Sequence, residues 1–397
     1  MRKSIYSCIA ALVVVSGANA DVKVGNPMAM TGPIPDLVAP MALAVDLAEK
    51  HINEQGGMFA SGEEYVIVRA DSMCDPVAGV DAVTKLINVS GVVGIVGPVC
   101  SGGTIAQAES VSIPAGVVTL SVSASAPAIS NMETGTDLVF RSAASDAYQG
   151  VALAELALAK GITDMSVSYA NDDYNAGLAA VFAEHYAANG GKIHLNEAHE
   201  PNKASYRSEV ATLGANTDNL ALFAYYGSGG ITLMRNAMET GAFSTFLGAD
   251  GMLADEVIEQ LGAENLTNAT FTTSTSDETT HGYAMWKALA TVADLNPLGP
   301  FVPNSYDATF MMALAIEKAG SADRDLIAGA LRSIANAPGE IILPGEWAKA
   351  KKILAAGGDI NYNGGSGLQD FDANGDVAGD FSASVVIDGA WVGTIIK

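Results

Sequence analysis

The residues of this chain best suited to holding a ligand are small and hydroxylated, and they follow a strand. Ahead of Gly97-Pro98-Val99-Cys100-Ser101-Gly102-Gly103-Thr104, the run 92–96 is apolar and rich in β-branched residues. That is the pattern of a strand buried on both faces. The segment 103–111 after it can be helical. A strand, a tight loop and a helix start aim free N–H groups and a positive dipole end at one point, a seat for an anionic group. Gly97-x4-Gly102-Gly103-Thr104 is one residue away from a phosphate loop, but Gly103 stands where that loop has its lysine. A nucleoside triphosphate would lose its main cationic contact there. A single negative charge such as a carboxylate suits the loop better, and a plain strand-to-helix turn is the alternative.

Other candidates lie in similar places. A second hydroxyl-rich loop, Ser121-Val122-Ser123-Ala124-Ser125-Ala126-Pro127, follows the run 117–120. Asp250 sits in Gly248-Ala249-Asp250-Gly251, just past another strand pattern, between glycines that let the backbone approach closely. Its plainer role would be a turn or a cap for the segment from Met252. Cys74 and Cys100 follow successive strand patterns, and loops at the same end of neighbouring parallel strands can be bridged. In an exported protein that pair reads as a disulfide, with a reactive Cys100 thiol as the alternative. Asp370-Phe371-Asp372-Ala373-Asn374-Gly375-Asp376 resembles half of a calcium loop, but Phe381 takes the place of the closing glutamate. An Asn-Gly turn is expected there, and no metal site. Neither a nucleophile elbow G-x-S-x-G nor a metal signature H-E-x-x-H occurs, so neither an enzyme nor a cofactor is expected.

The elements that must position these groups alternate. Runs at 22–26, 65–70, 92–96 and 117–120 read as strands; 38–52 reads as a helix with Asp36 as its cap, and Asp75-Pro76 starts another. After Phe140-Arg141-Ser142 the rhythm restarts. Helices at about 147–160, 176–189, 205–214 and 231–240 alternate with strands at 164–169, 191–197, 219–224 and 244–248. Two such runs argue an α/β chain of two lobes, each with a parallel sheet, and ligands of such sheets sit beyond the carboxyl ends of the strands. The stretch 280–356 is mainly helical, 357–367 reads as a loop, and the tail is a hairpin around Asp388-Gly389.

Composition bounds the rest. The 397 residues hold 20 Lys and Arg against 44 Asp and Glu, a net charge of −24. That argues against nucleic acid and anionic membrane surfaces as partners. Met1-Arg2-Lys3, the apolar stretch 5–15 and Ala18-Asn19-Ala20 form a cleavable export signal over 1–20, too short to span a membrane.

Taken together, Cys74-Asp75-Pro76, Gly97-Pro98-Val99-Cys100-Ser101 and Ser121-x-Ser123-Ala124-Ser125-x-Pro127 resemble the periplasmic branched-chain amino acid binding proteins of ABC transporters. Phe140-Arg141-Ser142 with Asp146 and Gln149-Gly150, Asp173-Tyr174-x-x-Gly177, Tyr225-Tyr226-Gly227 and Gly248-Ala249-Asp250-Gly251 extend the resemblance over essentially the whole mature chain. It implies a two-lobed Venus-flytrap with three hinge crossovers. Lobe 1 would hold 22–141 and 275–380, and lobe 2 142–274 and 381–397. It also implies a Cys74–Cys100 disulfide, a periplasmic monomer and a membrane permease as partner. In the family, the counterparts of Ser101 and of the loop with Ser123, Ala124 and Ser125 hold an amino acid's carboxylate and part of its amine. Tyr174 and Asp250 would close from the second lobe, and Val99, Cys100 and Phe301 would shape the side-chain pocket. Leu37, the loop Ser228-Gly229-Gly230 and the short acid Asp250 depart from the pattern, which leaves room for an amide or another polar or acidic solute. A secreted α/β hydrolase and a ligand sensor feeding a receptor are the other classes.

Overall fold

The computed structural model describes residues 21–132 and 137–396. The expected export signal, 1–20, lies outside the described residues. β1 (Val22–Met28), β2 (Tyr65–Asp71), β3 (Gly94–Val96), β4 (Val118–Ser121) and β5 (Val139–Arg141) form a parallel sheet in the order β2-β1-β3-β4-β5. Every residue of β3 and β4 is buried; β3 reads as part of an apolar run, and β4 also buries Thr119 and Ser121.

The second sheet begins with β6 (Asp164–Ala170), β7 (Lys192–His199), β8 (Asn219–Phe223), β9 (Thr245–Ala249) and β10 (Ala269–Thr275), all parallel. The chain then returns to the first sheet's side, where β11 (Glu340–Ile342) and β12 (Ile360–Tyr362) pair. It crosses back as the hairpin β13 (Asp380–Ile387) and β14 (Ala390–Ile395), which adds antiparallel strands beside β10. The order is β14-β13-β10-β9-β8-β6-β7. Asp388 and Gly389 both take positive φ, as a two-residue hairpin turn requires.

Four expectations differ from the structure. The first helix runs Pro35–Glu54, with Asp36 inside its first turn instead of capping it. The Tyr226 hydroxyl accepts the Asp36 N–H at 3.1 Å, so a residue 190 positions away replaces the local cap. The helix after β6 begins at Asp173, capped by the Asp172 side chain on Asn175 N, which moves Tyr174 from a loop into a first helical turn. β10 carries no strand signal strong enough to read, because Thr270, Thr272, Thr273 and Thr275 dilute its apolar face. The loop expected at 357–367 contains β12, three residues whose partner strand lies 20 positions earlier.

One buried ion pair ties two of the crossings together. Arg141, at the end of β5, is fully buried; its Nε donates to Asp376 Oδ1 at 2.6 Å and its Nη2 to Oδ2 at 2.9 Å. Asp372 spends Oδ1 on the N–H groups of Asn374 and Asp376. The Asp372 and Asp376 carboxylates of this calcium-like segment therefore serve a turn and an arginine. Among the described residues no cluster of three or more metal-capable side chains exists.

Candidate ligand-binding site

Beyond the carboxyl ends of the strands, between the two sheets, lies a small cavity. Its polar wall is Ser101, Ser123, Ser125, Tyr174 and Asp250; its apolar wall is Ile34, Leu37, Val99, Cys100, Tyr225 and Phe301. Of the residues singled out in the sequence, Ala124 alone does not line it: Ala124 is buried and its N–H is used by Ser121 Oγ at 3.0 Å.

Local structure explains the placement. Cys74 and Cys100 form a disulfide with Cα atoms 5.3 Å apart, which holds the loop after β3 against the loop after β2. Asp75 caps the helix Pro76–Lys85 as its sequence predicts, accepting the N–H groups of Val77 and Ala78. Ser101 opens the helix Ser101–Gln107. Phe301 takes a left-handed φ of 57° directly before the buried helix Val302–Ala319. Tyr174 and Tyr225 stack with centroids 5.4 Å apart.

The hydroxyls have defined senses. Ser101 Oγ accepts the N–H groups of Ser125 (3.3 Å) and Ala126 (3.1 Å), which fills its lone pairs and leaves its proton to donate. Ser123 Oγ donates to the Val99 carbonyl at 2.9 Å and faces the cavity as an acceptor. Ser125 Oγ donates to Asp146 Oδ2 at 3.0 Å and is likewise an acceptor toward the cavity. The expectation that Ser101 and Ser125 serve one carboxylate together therefore depends on Asp146: while Asp146 is ionised, Ser125 has no proton to give.

Asp250 is buried and opens a short turn after β9. The helix that follows starts at Asp255, too far on for Asp250 to cap it. Gln149 Nε2 donates to Asp250 Oδ1 at 3.1 Å and to the Thr272 carbonyl at 3.1 Å, so one amide locks the carboxylate to β10. Burial raises the Asp250 carboxyl above its ordinary range, against the pull of Gln149 and Tyr174; among the described residues no cationic side chain offsets it. Asp146 is pushed up further, by burial first and by Asp250 second. Asp146 and Gln149 stood in the recognised motif without a role, and Ile34 carried no signal of its own.

The two lobes touch around the cavity. Gly227 N donates to the Pro33 carbonyl at 3.1 Å, and a side chain at Gly227 would place its Cβ 2.5 Å from that oxygen. With hydroxyl donors from Ser101 and Tyr174, several acceptors, a buried acid and an apolar wall, the cavity complements a small molecule carrying an anionic group, a cationic group and an apolar body.

The profile of the receptor family ligand binding region matches residues 40–383. The chain belongs to that family. Similar proteins include the chemotactic signal transduction system substrate-binding protein BasB of Halobacterium salinarum, 27% identical over 371 residues, covering 90% of this chain and 84% of that one. The Leu/Ile/Val-binding protein BraC3 of Rhizobium johnstonii is 29% identical over 327 residues, covering 82% of this chain and 87% of that one. Among solved structures, the leucine binding protein LivK of Thermotoga maritima superposes with a TM-score of 0.79 at 23% identity, over 95% of this chain and 99% of that one. A solute binding protein of R. palustris in complex with benzoate gives 0.75 at 16% identity, over 95% and 96%. These two likenesses establish the fold, the α/β architecture of type I periplasmic binding proteins, and the motif resemblance and the relatives give the same family.

Proposed function

We propose that this protein captures a small amino acid, branched-chain or closely related, between two lobes and delivers it to the permease of an ABC transporter. It does so in the periplasm, as a monomer, and without chemical change to the ligand. The lobes are 22–141 with 275–380 and 142–274 with 381–397. The observation that carries this reading is Asp250: a buried carboxylate at the cavity with no cationic side chain to pair with it among the described residues. A buried charge needs a partner, and an α-ammonium supplies one. Ser101 then donates to the α-carboxylate, and the wall of Ile34, Leu37, Val99 and Phe301 receives an aliphatic side chain. The names of the Leu/Ile/Val-binding relatives support the ligand class.

A thermal-shift screen of amino acids, amides and small acids tests this. A ligand at 100 times its Kd adds about 2.7 kcal/mol of stability. Shifts with branched-chain or other small neutral amino acids are expected; shifts with amides or acids alone would replace the reading. BasB, named for chemotactic signal transduction, supports a second destination for the loaded protein, a membrane receptor. Co-purification with a receptor and not with a permease would favour it.

A further inference from the structure

Two serines of the cavity are set in opposite senses by what lies behind them. Ser101 has its lone pairs filled by two backbone N–H groups and keeps a proton to donate. Ser125 has given its proton to Asp146 and keeps lone pairs to accept. Asp146 lines no part of the cavity. It is fully buried, its N–H donates to the Ser125 carbonyl at 2.8 Å, and its Oδ1 has no hydrogen-bond partner among the described residues. A hydroxyl has one proton, so the group that takes it decides what the oxygen can offer a ligand.

We infer that Asp146 is a positioning residue for specificity: as a carboxylate it fixes Ser125 as an acceptor, and so makes the cavity read an ammonium instead of an oxygen. This rests on the amino-acid reading above. An uncharged group with a proton to give at position 146 reverses the bond. Ser125 then donates into the cavity and suits a ligand with a carbonyl oxygen where the ammonium would be. The ligand class selected by the ionised form is the 2-amino acid, and the class rejected is its 2-oxo acid, which carries only acceptors at that carbon. A site whose buried polar groups are left unpaired by an analogue rejects it strongly.

The groups facing Asp146 determine when the device works. Asp250 opposes its ionisation; Arg141, at the end of β5, favours it while being held by Asp376. Tyr174 and Tyr225 face both acids from the second lobe, and Asp172 and Asp173 lie beyond Tyr225. An ammonium set between Ser125 and Asp250 is the counter-charge that keeps Asp146 ionised as the lobes close. Ligand and residue thus select the same state.

The test compares leucine, valine and alanine with their 2-oxo acids by calorimetry, in the wild type and in Asp146→Asn. The asparagine amide can donate to Ser125. The ratio of amino-acid to oxo-acid affinity is expected to fall by roughly 100-fold, through weaker amino-acid binding and stronger oxo-acid binding. A general loss of structure would weaken both alike and leave the ratio in place. A ratio within threefold of wild type overturns the inference. Should Asp146→Asn fail to fold, Ser125→Ala must still weaken the amino acids and spare the oxo acids, and equal losses overturn it. If the wild type binds none of the three amino acids, the amino-acid reading itself is refuted and this inference goes with it.

Discussion

Asp250→Asn separates charge from shape at the centre of the site. The side chain keeps its size, and the asparagine carbonyl still accepts from Gln149 Nε2, now 3.1 Å from Asp250 Oδ1. The negative charge is lost. Truncating one member of a buried charge pair weakens binding by about 2–5 kcal/mol, or roughly 30- to 5,000-fold. The ligand-free protein should not suffer, because burial already disfavours the Asp250 carboxylate. Thermal unfolding with and without amino acid reads both effects. At 100 times the wild-type Kd the wild type gains about 2.7 kcal/mol; a variant 100-fold weaker gains only about 0.4 kcal/mol. Ligand-free unfolding should match or exceed wild type. A variant that binds within threefold of wild type, less than about 0.7 kcal/mol, would show that the amine is held elsewhere or that the ligand has none.

Ser101→Ala removes the donor to the ligand's carboxylate and orphans the N–H groups of Ser125 and Ala126. Calorimetry should show affinity down by about 1.5–3 kcal/mol, and denaturation should show a separate loss of about 1–3 kcal/mol; a loss of stability alone would reduce Ser101 to a turn residue. Gly227→Ala puts a Cβ against the Pro33 carbonyl of the facing lobe, so it should weaken binding by about 1–3 kcal/mol while leaving ligand-free stability unchanged. In small-angle scattering that variant should stay expanded at ligand concentrations that compact the wild type; equal compaction would show that the contact plays no part in closure. Protein lacking 1–20 should titrate no free thiol until reduced, and Cys74→Ser should lower stability by about 3 kcal/mol. Two reactive thiols in the unreduced protein would return Cys100 to the role of a nucleophile.

The parts of the fold visible in the sequence were those fixed by local rules. β3 could be read because burial on both faces leaves an apolar run, and the helix after Asp75-Pro76 because cap and first turn are adjacent. The hydroxylated loops announced a polar site because small residues after a strand let the backbone approach a ligand. What could not be read was anything set by a distant partner. The first helix has no local cap, since Tyr226 supplies one from the other lobe. β12 is three residues long and exists only against β11. The senses of Ser101 and Ser125 follow from each other and from Asp146, up to 45 positions away, and serine as a residue type allows either.

The same distant partners tie recognition to closure. Asp146 and Asp250 are both buried here, and each ion taken out of water without a partner costs several kcal/mol. Against this, the bonds from Gly227 N to Pro33 and from Asp36 N to Tyr226 contribute about 0.5–1.5 kcal/mol each. Those two bonds alone do not offset that cost. A zwitterion reverses the balance. Its ammonium offsets both carboxylates, its carboxylate takes the Ser101 proton, and its side chain covers the apolar wall. On the proposed function, the closed form would be reached when a cation sits between Ser125 and Asp250, and the discrimination would come from the unfavourable burial that the ligand relieves. A ligand that fills the cavity without an ammonium would bind to one lobe and leave the other open.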